Sequence, residues 1–312
     1  MKICITGGLG YIGRHIVENL CRKGHKVTVI DKNSYGKLLP ILVERYPDIN
    51  IHISDIFDMD LNIFFNEHQI ETVIHLASET SVRDAVNPRV NVLDLGVQVW
   101  LAAANTVCVK RFINMSSAAA NQPSVPEDRE SEDISYGLAK HILDYRIAQY
   151  MDNSTKTFNL RLHNPYGHTR SLPFSDHKES LWFNMVKCVN NGDMLNLTTN
   201  TGDEHGTATR DWINIFDVTE IVVRFATHDT KHYERKPHWE IGSGNALTAY
   251  KFTQAFNTIE DVDLQINFVP FPSQDVLAQV CDPSKSFEYL DFRSKVGPRI
   301  YSNSYLNGVY WT

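Results

Sequence analysis

The stretch Lys2-Ile-Cys-Ile-Thr-Gly-Gly-Leu-Gly-Tyr-Ile-Gly13 opens the chain as an apolar run that passes directly into a glycine-rich loop. A short apolar run bounded by glycine predicts a buried strand, and the pattern from Tyr11 onward predicts a helix. Glycines at Gly7, Gly10 and Gly13 permit a tight turn and let backbone N–H groups approach a phosphate at the positive end of the helix. The stretch therefore predicts a strand–loop–helix unit of the kind that binds dinucleotides.

Outward from this unit, short β-rich runs alternate with helical stretches as far as Arg161. This alternation predicts right-handed βαβ units, and hence an α/β fold built on a Rossmann doubly wound parallel sheet. The predicted strands are Lys2–Thr6, Lys26–Asp31, Asn50–Ser54, Thr72–Leu76, Arg111–Met115 and Thr157–Leu162. The predicted helices include Tyr11–Lys23, Leu38–Tyr46, Pro88–Val107 and Ser135–Met151.

After Asn164 the alternation weakens and turn residues cluster, which predicts a smaller C-terminal α+β lobe. We expect residues 1–164, with about 211–240, to form the dinucleotide-binding domain. Residues 165–210 and 241–312 are expected to form a lobe that binds the substrate. The length of 312 residues is ample for this arrangement.

Composition excludes several classes of protein. With 42% hydrophobic and 21% charged residues, the chain is globular, and its net charge of −7 argues against nucleic acid as a partner. The five cysteines form no Cys-x-x-Cys pair, which favours a reducing cytoplasm. No apolar stretch is long enough to span a membrane, and no histidines or cysteines have metal-ligand spacing, so we predict neither a membrane partner nor a metal.

Asp31, which closes the second predicted strand, indicates which dinucleotide binds. A carboxylate there accepts hydrogen bonds from both ribose hydroxyls and repels a 2′-phosphate, so NAD is favoured over NADP. Arg14 and Lys32 are close enough in sequence to favour the opposite, but we interpret them as solvated charges. Asp55 and Ile56 follow the third strand, where the adenine would lie, although Asp55 could equally be only a helix N-cap.

Tyr136-Gly-Leu-Ala-Lys140 is a Tyr-x-x-x-Lys pair whose spacing places both side chains on one face of a helix. The fifth strand ends shortly before it in Ser116-Ser117, at the edge of the sheet where doubly wound folds bind ligands. A tyrosine base requires its pKa to fall from about 10 to about 7, which a neighbouring ammonium favours. Ser117 could then orient a substrate hydroxyl. Alternatively, Tyr136 is a half-buried helix residue and Ser117 a strand cap.

Further motifs follow in order along the chain. They are His75-Leu-Ala-Ser78, Arg161-Leu-His-Asn-Pro-Tyr-Gly167, Arg210-Asp-Trp-Ile-Asn-Ile-Phe-Asp217, Ile241-Gly-Ser-Gly244 and Asp282-Pro-Ser-Lys285. Together with the glycine loop, Asp31 and the Tyr/Lys pair, this series resembles the extended short-chain dehydrogenase/reductase family, and within it the NAD-dependent nucleotide-sugar epimerase/dehydratase group.

The resemblance implies tightly held NAD, a nucleotide-sugar substrate and a homodimer built from the two long helices 88–107 and 135–151. It implies proton transfer by Ser117 and Tyr136, with Lys140 on the nicotinamide ribose. Asn164 and Arg210 would bind the nucleotide diphosphate, although they could instead be a turn former and a surface ion pair. The residues expected at the cofactor are Gly7, Gly10, Tyr11, Ile12, Gly13, Asp31, Lys32, Asn33, Asp55, Ile56, Leu76, Ala77, Ser78, Ser116, Tyr136 and Lys140.

The chain departs from the family pattern in three places. Leu95-Gly-Val-Gln-Val99 replaces Asn-x-x-Gly-Thr, with Asp94 adjacent to the missing asparagine. Ala118-Ala-Ala-Asn-Gln122 replaces the Val-Tyr-Gly segment after the serine strand. Phe271-Pro-Ser-Gln-Asp275 replaces an Arg-x-Gly-Asp segment and so removes a cation from the expected diphosphate site.

The residues after Ser117 discriminate between reactions of this group. Dehydratases carry an Asp-Glu pair and decarboxylases a Glu there, since both reactions need an added acid or base, whereas this chain has Ala118-Ala119. The sequence therefore favours epimerisation, and the resemblance implies that it takes place at C4 of a UDP-hexose, with hydride passing to bound NAD and back. The alternatives are an NAD(P)-dependent sugar reductase or dehydrogenase and a non-catalytic NAD-binding protein.

Overall fold

The computed structural model describes residues 1–33, 38–79, 87–123, 134–149, 154–168, 172, 180–228, 234–271 and 276–292. The chain divides into two compact units, unit 1 with Met1–Leu162 and Thr219–Glu240, and unit 2 with His163–Val218 and Ile241–Thr312. Residues 163–164 and 211–218, expected in the first domain, thus fall in unit 2. The reason is that strand Thr209–Asn214 pairs within a small sheet, in part with Asn164–Tyr166.

The strands and helices are as follows. The strands are β1 (Lys2–Thr6), β2 (Lys26–Asp31), β3 (Asn50–Ile53), β4 (Thr72–His75), β5 (Arg111–Ser117), β6 (Lys156–Leu162), β7 (Asn164–Tyr166), β8 (Leu195–Thr199), β9 (Thr209–Asn214), β10 (Trp239–Ile241), β11 (Ala246–Thr248), β12 (Ile266–Pro270) and β13 (Ala278–Gln279). The α-helices are α1 (Tyr11–Arg22), α2 (Leu38–Arg45), α3 (Leu61–His68), α4 (Leu95–Asn105), α5 (Tyr136–Gln149), α6 (Leu181–Asn191), α7 (Ile215–Thr227), α8 (Ala249–Glu260) and α9 (Ser284–Leu290).

Within the described residues, the central sheet has seven strands in the order β10-β6-β5-β4-β1-β2-β3. The pairings of β1 through β6 are parallel, which confirms the predicted α/β Rossmann class. Strand β10 and helix α3 were not among the predicted elements. Helix α3 begins after Asp60, whose side chain accepts a hydrogen bond from the N–H of Ile63 at 3.1 Å, as an N-cap does.

The predicted helix 88–107 consists of a π-helical turn, Arg89–Asp94, followed directly by α4. The predicted helix 135–151 is α5, and residues 150–151 lie outside the described residues. Among the described residues, no helix combines the length and apolar character that crossing a membrane requires.

One face of the sheet packs against α3, α4 and α5. The buried residues Val73 and Phe112 of the sheet form one cluster with Phe65 of α3, Val99 of α4 and Leu143 of α5. Burial of each such side chain stabilises the fold by about 1.5–3 kcal/mol. This cluster fixes the position of α5, and therefore of the predicted Tyr/Lys pair, against the sheet.

The strand register brings the carboxyl ends of the central strands together. Thr6 of β1 lies opposite His75 of β4, and His75 lies opposite Asn114 of β5. The glycine loop after β1 and Ser117 at the end of β5 therefore lie at the same edge of the sheet.

The described part of unit 2 contains two small sheets. Strand β9 pairs antiparallel with β11 and parallel with β7 and β13, and β8 pairs parallel with β12. Helices α6, α8 and α9 belong to this unit, so it has mixed helix and strand composition.

Candidate active site

Close backbone contacts at Gly7 and Gly13 leave no room for a side chain in the glycine loop. Gly7 has φ +70°, and a Cβ on it would lie 2.7 Å from the backbone N of Ala77. A Cβ on Gly13 would lie 2.4 Å from the carbonyl oxygen of Gly7. Helix α1 begins at Tyr11 with Gly10 as its N-cap, so the loop presents a helix N-terminus without side chains in the way. This cradle suits a pyrophosphate.

Asp31 is fixed at the end of β2 beside the loop. Its carboxylate accepts hydrogen bonds from the backbone N–H of Leu9 and of Asn33, both at 3.0 Å. Burial raises the pKa of Asp31, while these two hydrogen bonds and the charges of Arg14 and Lys32 oppose the rise. Lys32 and Asn33 themselves are exposed.

The interpretation of Arg14 as a solvated charge is wrong. Its side chain is only 1% exposed, and it donates to the carbonyl oxygens of Leu9 at 2.7 Å and Gly10 at 3.1 Å. The buried guanidinium therefore donates hydrogen bonds to two carbonyl groups of the glycine loop. Its rigid fork of donors explains how one side chain supports two successive loop residues.

The other residues predicted at the cofactor lie after β1, β3 and β4. Tyr11 is buried and Ile12 half-buried at the start of α1. Asp55 caps a 3₁₀ turn by accepting from the N–H of Phe57 at 3.0 Å, so its alternative role as a cap is observed, and Ile56 is buried behind it. Leu76, Ala77 and Ser78 are half-buried.

Ser78 provides a separate indication that a ligand fits here. Its hydroxyl oxygen is buried, and among the described residues it has no hydrogen-bond partner. A buried hydroxyl without a partner is costly, because it has lost its hydrogen bonds to water. Together with the glycine cradle after β1, this hydroxyl after the neighbouring strand β4 fits a polar ligand such as a dinucleotide.

Tyr136 and Lys140 lie on one face of α5, as the spacing predicts. Tyr136 is 9% exposed and Lys140 is 3% exposed. The ammonium nitrogen of Lys140 lies 5.8 Å from the centre of the Tyr136 ring and donates to the carbonyl oxygen of Met115 at 2.9 Å. The charge of Lys140 is therefore held close to the phenol.

Gly137 allows the Tyr136 end of α5 to approach the segment that carries Ser117. Ser117 is half-buried, and its hydroxyl oxygen accepts from the N–H of Ala119 at 3.2 Å, so it caps the 3₁₀ turn Ala118–Asn121. A Cβ on Gly137 would lie 2.6 Å from the carbonyl oxygen of Ala119. The structure thus brings the turn after Ser117 directly against the first turn of the Tyr/Lys helix.

Burial lowers the pKa values of two basic side chains at this site, Lys140 and His75. Burial lowers the pKa of Lys140 to about 8, although the carboxylate of Asp144 opposes the fall. Burial and then the charge of Lys140 lower the pKa of His75 to about 3. His75 is therefore neutral, with its Nδ1 2.7 Å from the hydroxyl oxygen of Thr6. A lysine with a pKa this low lies close to its titration range at physiological pH.

Sequence reasoning missed Asp144, a buried carboxylate that binds Ser116, the residue before Ser117. The hydroxyl of Ser116, predicted at the cofactor, donates to the carboxylate of Asp144 at 2.8 Å. Asp144 also accepts from Nε of Arg161 at 2.8 Å. The position of Asp144 one helical turn after Lys140 was the available signal, since residues four apart share a helix face.

Asn164 and Arg210 lie together in unit 2. Asn164 is on β7 and faces Trp212 of β9 in the register, two residues from Arg210 on the same strand. The amide of Asn164 donates to the carbonyl oxygen of Asp211 at 3.2 Å. The guanidinium of Arg210 donates to the carbonyl oxygens of Thr209 and Leu277. Both side chains are partly exposed, so each also has solvent-accessible surface for a ligand.

The departures from the family pattern are only partly visible. Asp94 is exposed at the end of the π-helical turn, and Gln98 donates to the carbonyl oxygen of Ile56 at 3.4 Å. Ala118–Asn121 forms the 3₁₀ turn described above. Residues 272–275, where a cation was expected, lie outside the described residues.

Comparison with known proteins agrees with this class of site, a Rossmann sheet carrying a dinucleotide cradle and a Tyr/Lys pair. The family model described as "NAD dependent epimerase/dehydratase family" matches residues 3–242. The chain belongs to this family. Membership confirms the predicted resemblance, the cofactor NAD and the class of enzyme, an NAD-dependent epimerase.

Several relatives are named as 4-epimerases of UDP-sugars. The chain is 26% identical to the UDP-glucose 4-epimerase of Bacillus subtilis (strain 168), with 95% of this chain and 93% of that protein covered. It is 26% identical to UDP-arabinose 4-epimerase 1 of Arabidopsis thaliana, with 94% and 75% covered. A crystal structure of UDP-glucose 4-epimerase from Bifidobacterium longum in complex with NAD⁺ and UDP has a TM-score of 0.81, 23% identity and coverage of 98% and 97%. This structural likeness shows the fold.

Proposed function

We propose that the chain is an NAD-dependent nucleotide-sugar epimerase that inverts C4 of a UDP-hexose. The observation that carries the proposal is the buried Lys140 ammonium, 5.8 Å from the Tyr136 ring, on a helix packed against the turn after Ser117. Relatives named as 4-epimerases of UDP-sugars match over nearly the whole chain and support the reaction and the substrate class.

The cofactor would be held by groups from several strand ends. The loop glycines would receive the pyrophosphate, Asp31 the adenosine ribose, Ser78 a further polar group, and Lys140 the nicotinamide ribose. When bound, NAD takes a hydride from the sugar carbon and later returns it. We also propose that the remaining residues predicted at the cofactor contact NAD, because they lie beside these groups.

The chain's own residues would carry out the proton transfer. Tyr136 would accept the proton of the 4-hydroxyl group, and the ammonium of Lys140 would stabilise the phenolate. Ser117 would orient the same hydroxyl group through its own hydroxyl. After the keto sugar rotates in the site, so that the returning hydride meets the opposite face of C4, Tyr136 would return the proton to the C4 oxygen. No net oxidation results, so each turnover leaves the enzyme ready for the next.

Asn164 and Arg210 are proposed as the ligands of the substrate diphosphate. Their positions on neighbouring strands of one sheet, with donor groups partly exposed, support a shared anionic ligand. The two units would accordingly be the NAD-binding domain and the substrate-binding lobe, in the cytoplasm.

The homodimer predicted from the family is also a proposal. Helices α4 and α5 of unit 1 share a shallow groove that includes Trp100, Leu101, Ile142 and Tyr145. Leu101 is 45% and Tyr145 58% exposed, so the groove presents apolar surface that a second copy would cover.

The test is to incubate the purified protein with UDP-glucose and to measure both UDP-galactose and reduced nicotinamide. We expect UDP-galactose to accumulate to equilibrium while reduced nicotinamide stays far below one equivalent of product. Reduced nicotinamide formed in proportion to consumed sugar would instead indicate a dehydrogenase and would refute epimerisation.

A further inference from the structure

Asp144 is a buried carboxylate to which the proposed reaction assigns no part. It is 1% exposed and lies on α5 one turn after Lys140. Its carboxylate accepts from Arg161 Nε at 2.8 Å, from the hydroxyl of Ser116 at 2.8 Å and from the amide of Asn114 at 3.4 Å. Arginine remains protonated at all ordinary pH values, so the ionised carboxylate is the form that completes this pair.

Side chains of α5 bind three successive residues near the end of β5. Asp144 binds the side chains of Asn114 and Ser116, which point to the same face because side chains alternate along a strand. Between them, Lys140 binds the carbonyl oxygen of Met115. The next residue along β5 is Ser117. Asp144 and Lys140 therefore fix the position of the end of β5, where the proposed catalytic residue Ser117 lies.

Arg161 extends the same network to the far end of the serine turn. Its Nη1 donates to the side-chain oxygen of Asn121 at 2.6 Å. The amide of Asn121 in turn donates to the carboxylate of Glu240 at 3.0 Å. Asn121 is the last residue of the 3₁₀ turn that Ser117 caps. Strand β5 thus fixes the start of the turn at Ser117. Arg161, the partner of Asp144, binds the last residue of the turn, Asn121.

Among the described residues, Asp144 is the charged group that acts most on Lys140. The π-helical turn that packs against α5 carries Arg89 and Asp94, which do not contribute to the shift in the pKa of Lys140. Asp144 on its own helix favours the protonated amine and opposes the effect of burial. His75 on β4 is neutral, and α4, which packs against α5, contains no charged residue. The charge of Arg161 is paired with Asp144. Asp144 is therefore the anion that compensates the buried ammonium.

We propose that Asp144, paired with Arg161, is a positioning residue that keeps Lys140 protonated beside Tyr136 and fixes the strand end that bears Ser117. This inference rests on the proposed function, in which the ammonium of Lys140 stabilises the tyrosine phenolate. It adds a residue that touches neither substrate nor cofactor and acts through Lys140.

The variant Asp144→Asn tests this directly in the full chain saturated with NAD. Trace labelling of amines with acetic anhydride across a pH series, read by mass spectrometry on the Lys140 peptide, measures the titration of Lys140 without requiring activity. We expect the titration midpoint to fall by about one pH unit or more, because the compensating anion is lost. The alkaline limb of the pH–rate profile should move to lower pH in parallel.

Two further variants separate charge from packing. Asn159 is 1% exposed and donates from its amide to the backbone carbonyl of Asp144 at 3.0 Å. Asn159→Ala thus damages the same network without removing a charge, and the midpoint of Lys140 should stay at the wild-type value. Asp144→Glu keeps the charge and should restore most of the midpoint that Asp144→Asn loses.

Loss of Asp144 alone leaves the Arg161 charge buried, and this can prevent folding. The double variant Asp144→Asn/Arg161→Met removes both charges, and the midpoint should again fall. An unchanged midpoint in a folded, NAD-binding variant overturns the proposal. If the midpoint falls but the wild-type protein does not epimerise any UDP-hexose, the proposed function is refuted while the control of Lys140 by Asp144 stands.

Discussion

At Gly13, one methyl group decides whether the cofactor loop can close. The Cβ of an alanine there would lie 2.4 Å from the carbonyl oxygen of Gly7, which is backbone and cannot move aside cheaply. We predict that Gly13→Ala lowers the affinity for NAD at least tenfold, measured by isothermal titration on protein stripped of dinucleotide.

Gly24→Ala is the matched control for that substitution. Gly24 has φ +77°, and a Cβ there would meet no atom within 4 Å. We expect a loss of about 1–2 kcal/mol in the free energy of unfolding from backbone strain, with unchanged NAD affinity. Equal NAD affinity in the two variants would contradict the role of the Gly13 contact.

Tyr136 carries the proposed proton transfer through one oxygen atom. Tyr136→Phe keeps the ring that packs beside Lys140 but removes this oxygen, so we predict a fall in kcat of at least a hundredfold with NAD still bound. Tyr46→Phe, the same change just after α2, should leave kcat unaltered. Substantial turnover in Tyr136→Phe, measured as formation of the C4 epimer, would refute Tyr136 as the base.

Among the elements, the paired ends of β1 and β4 make stability depend on pH. The folded pKa of His75 is about 3, well below its ordinary value, so the unfolded chain binds a proton first as the pH falls. The stabilisation is present above about pH 6.5 and should fall by roughly 3 kcal/mol between pH 7 and pH 4.

Urea denaturation at several pH values and equal NAD concentration checks this expectation. His75→Asn removes the titrating ring, so its stability should depend less on pH than that of the wild type. His205→Asn, at a side chain that is 80% exposed, should retain the wild-type dependence. Identical pH dependence in His75→Asn and wild type would contradict the assignment.

The elements that the sequence predicted well are those with strong local signals. Apolar runs ending in glycine or aspartate, such as Lys26–Asp31, predicted the strands of the central sheet closely. Helix α3 was missed because its apolar residue Ile63 is exposed next to the buried Phe64 and Phe65, which blurs the helical period. Strand β10 has only three residues, too few for periodicity to register. The Asp144–Arg161 pair joins residues 17 apart on different elements, and a single sequence does not reveal such a pairing.

Burial also explains where residue-level interpretation failed. Arg14 was expected in solvent because long charged side chains are rarely buried. Its carbonyl partners, Leu9 and Gly10, become available only when the loop is closed. The glycine loop, Asp31 and the Tyr/Lys pair could be proposed from sequence because the chemistry they would perform requires fixed spacing along one chain.

For the whole molecule, the groove between α4 and α5 is the proposed dimer contact. Leu101→Glu places a charge in this groove and should shift the protein from dimer to monomer in sedimentation velocity, since burying an unpaired charge is costly. Val43→Glu on α2 is the matched control, because Val43 and Leu101 are both 45% exposed. A wild-type monomer, or dissociation of both variants alike, would refute this interface.

In the proposed reaction, one NAD molecule accepts and returns the same hydride within a turnover. This transfer is tested with UDP-glucose carrying deuterium at C4, the product being analysed by NMR and mass spectrometry. We predict UDP-galactose that retains the deuterium at C4, with no net reduced nicotinamide released. Loss of the deuterium to solvent, or its accumulation in reduced nicotinamide in proportion to the sugar consumed, would contradict transient hydride transfer to bound NAD.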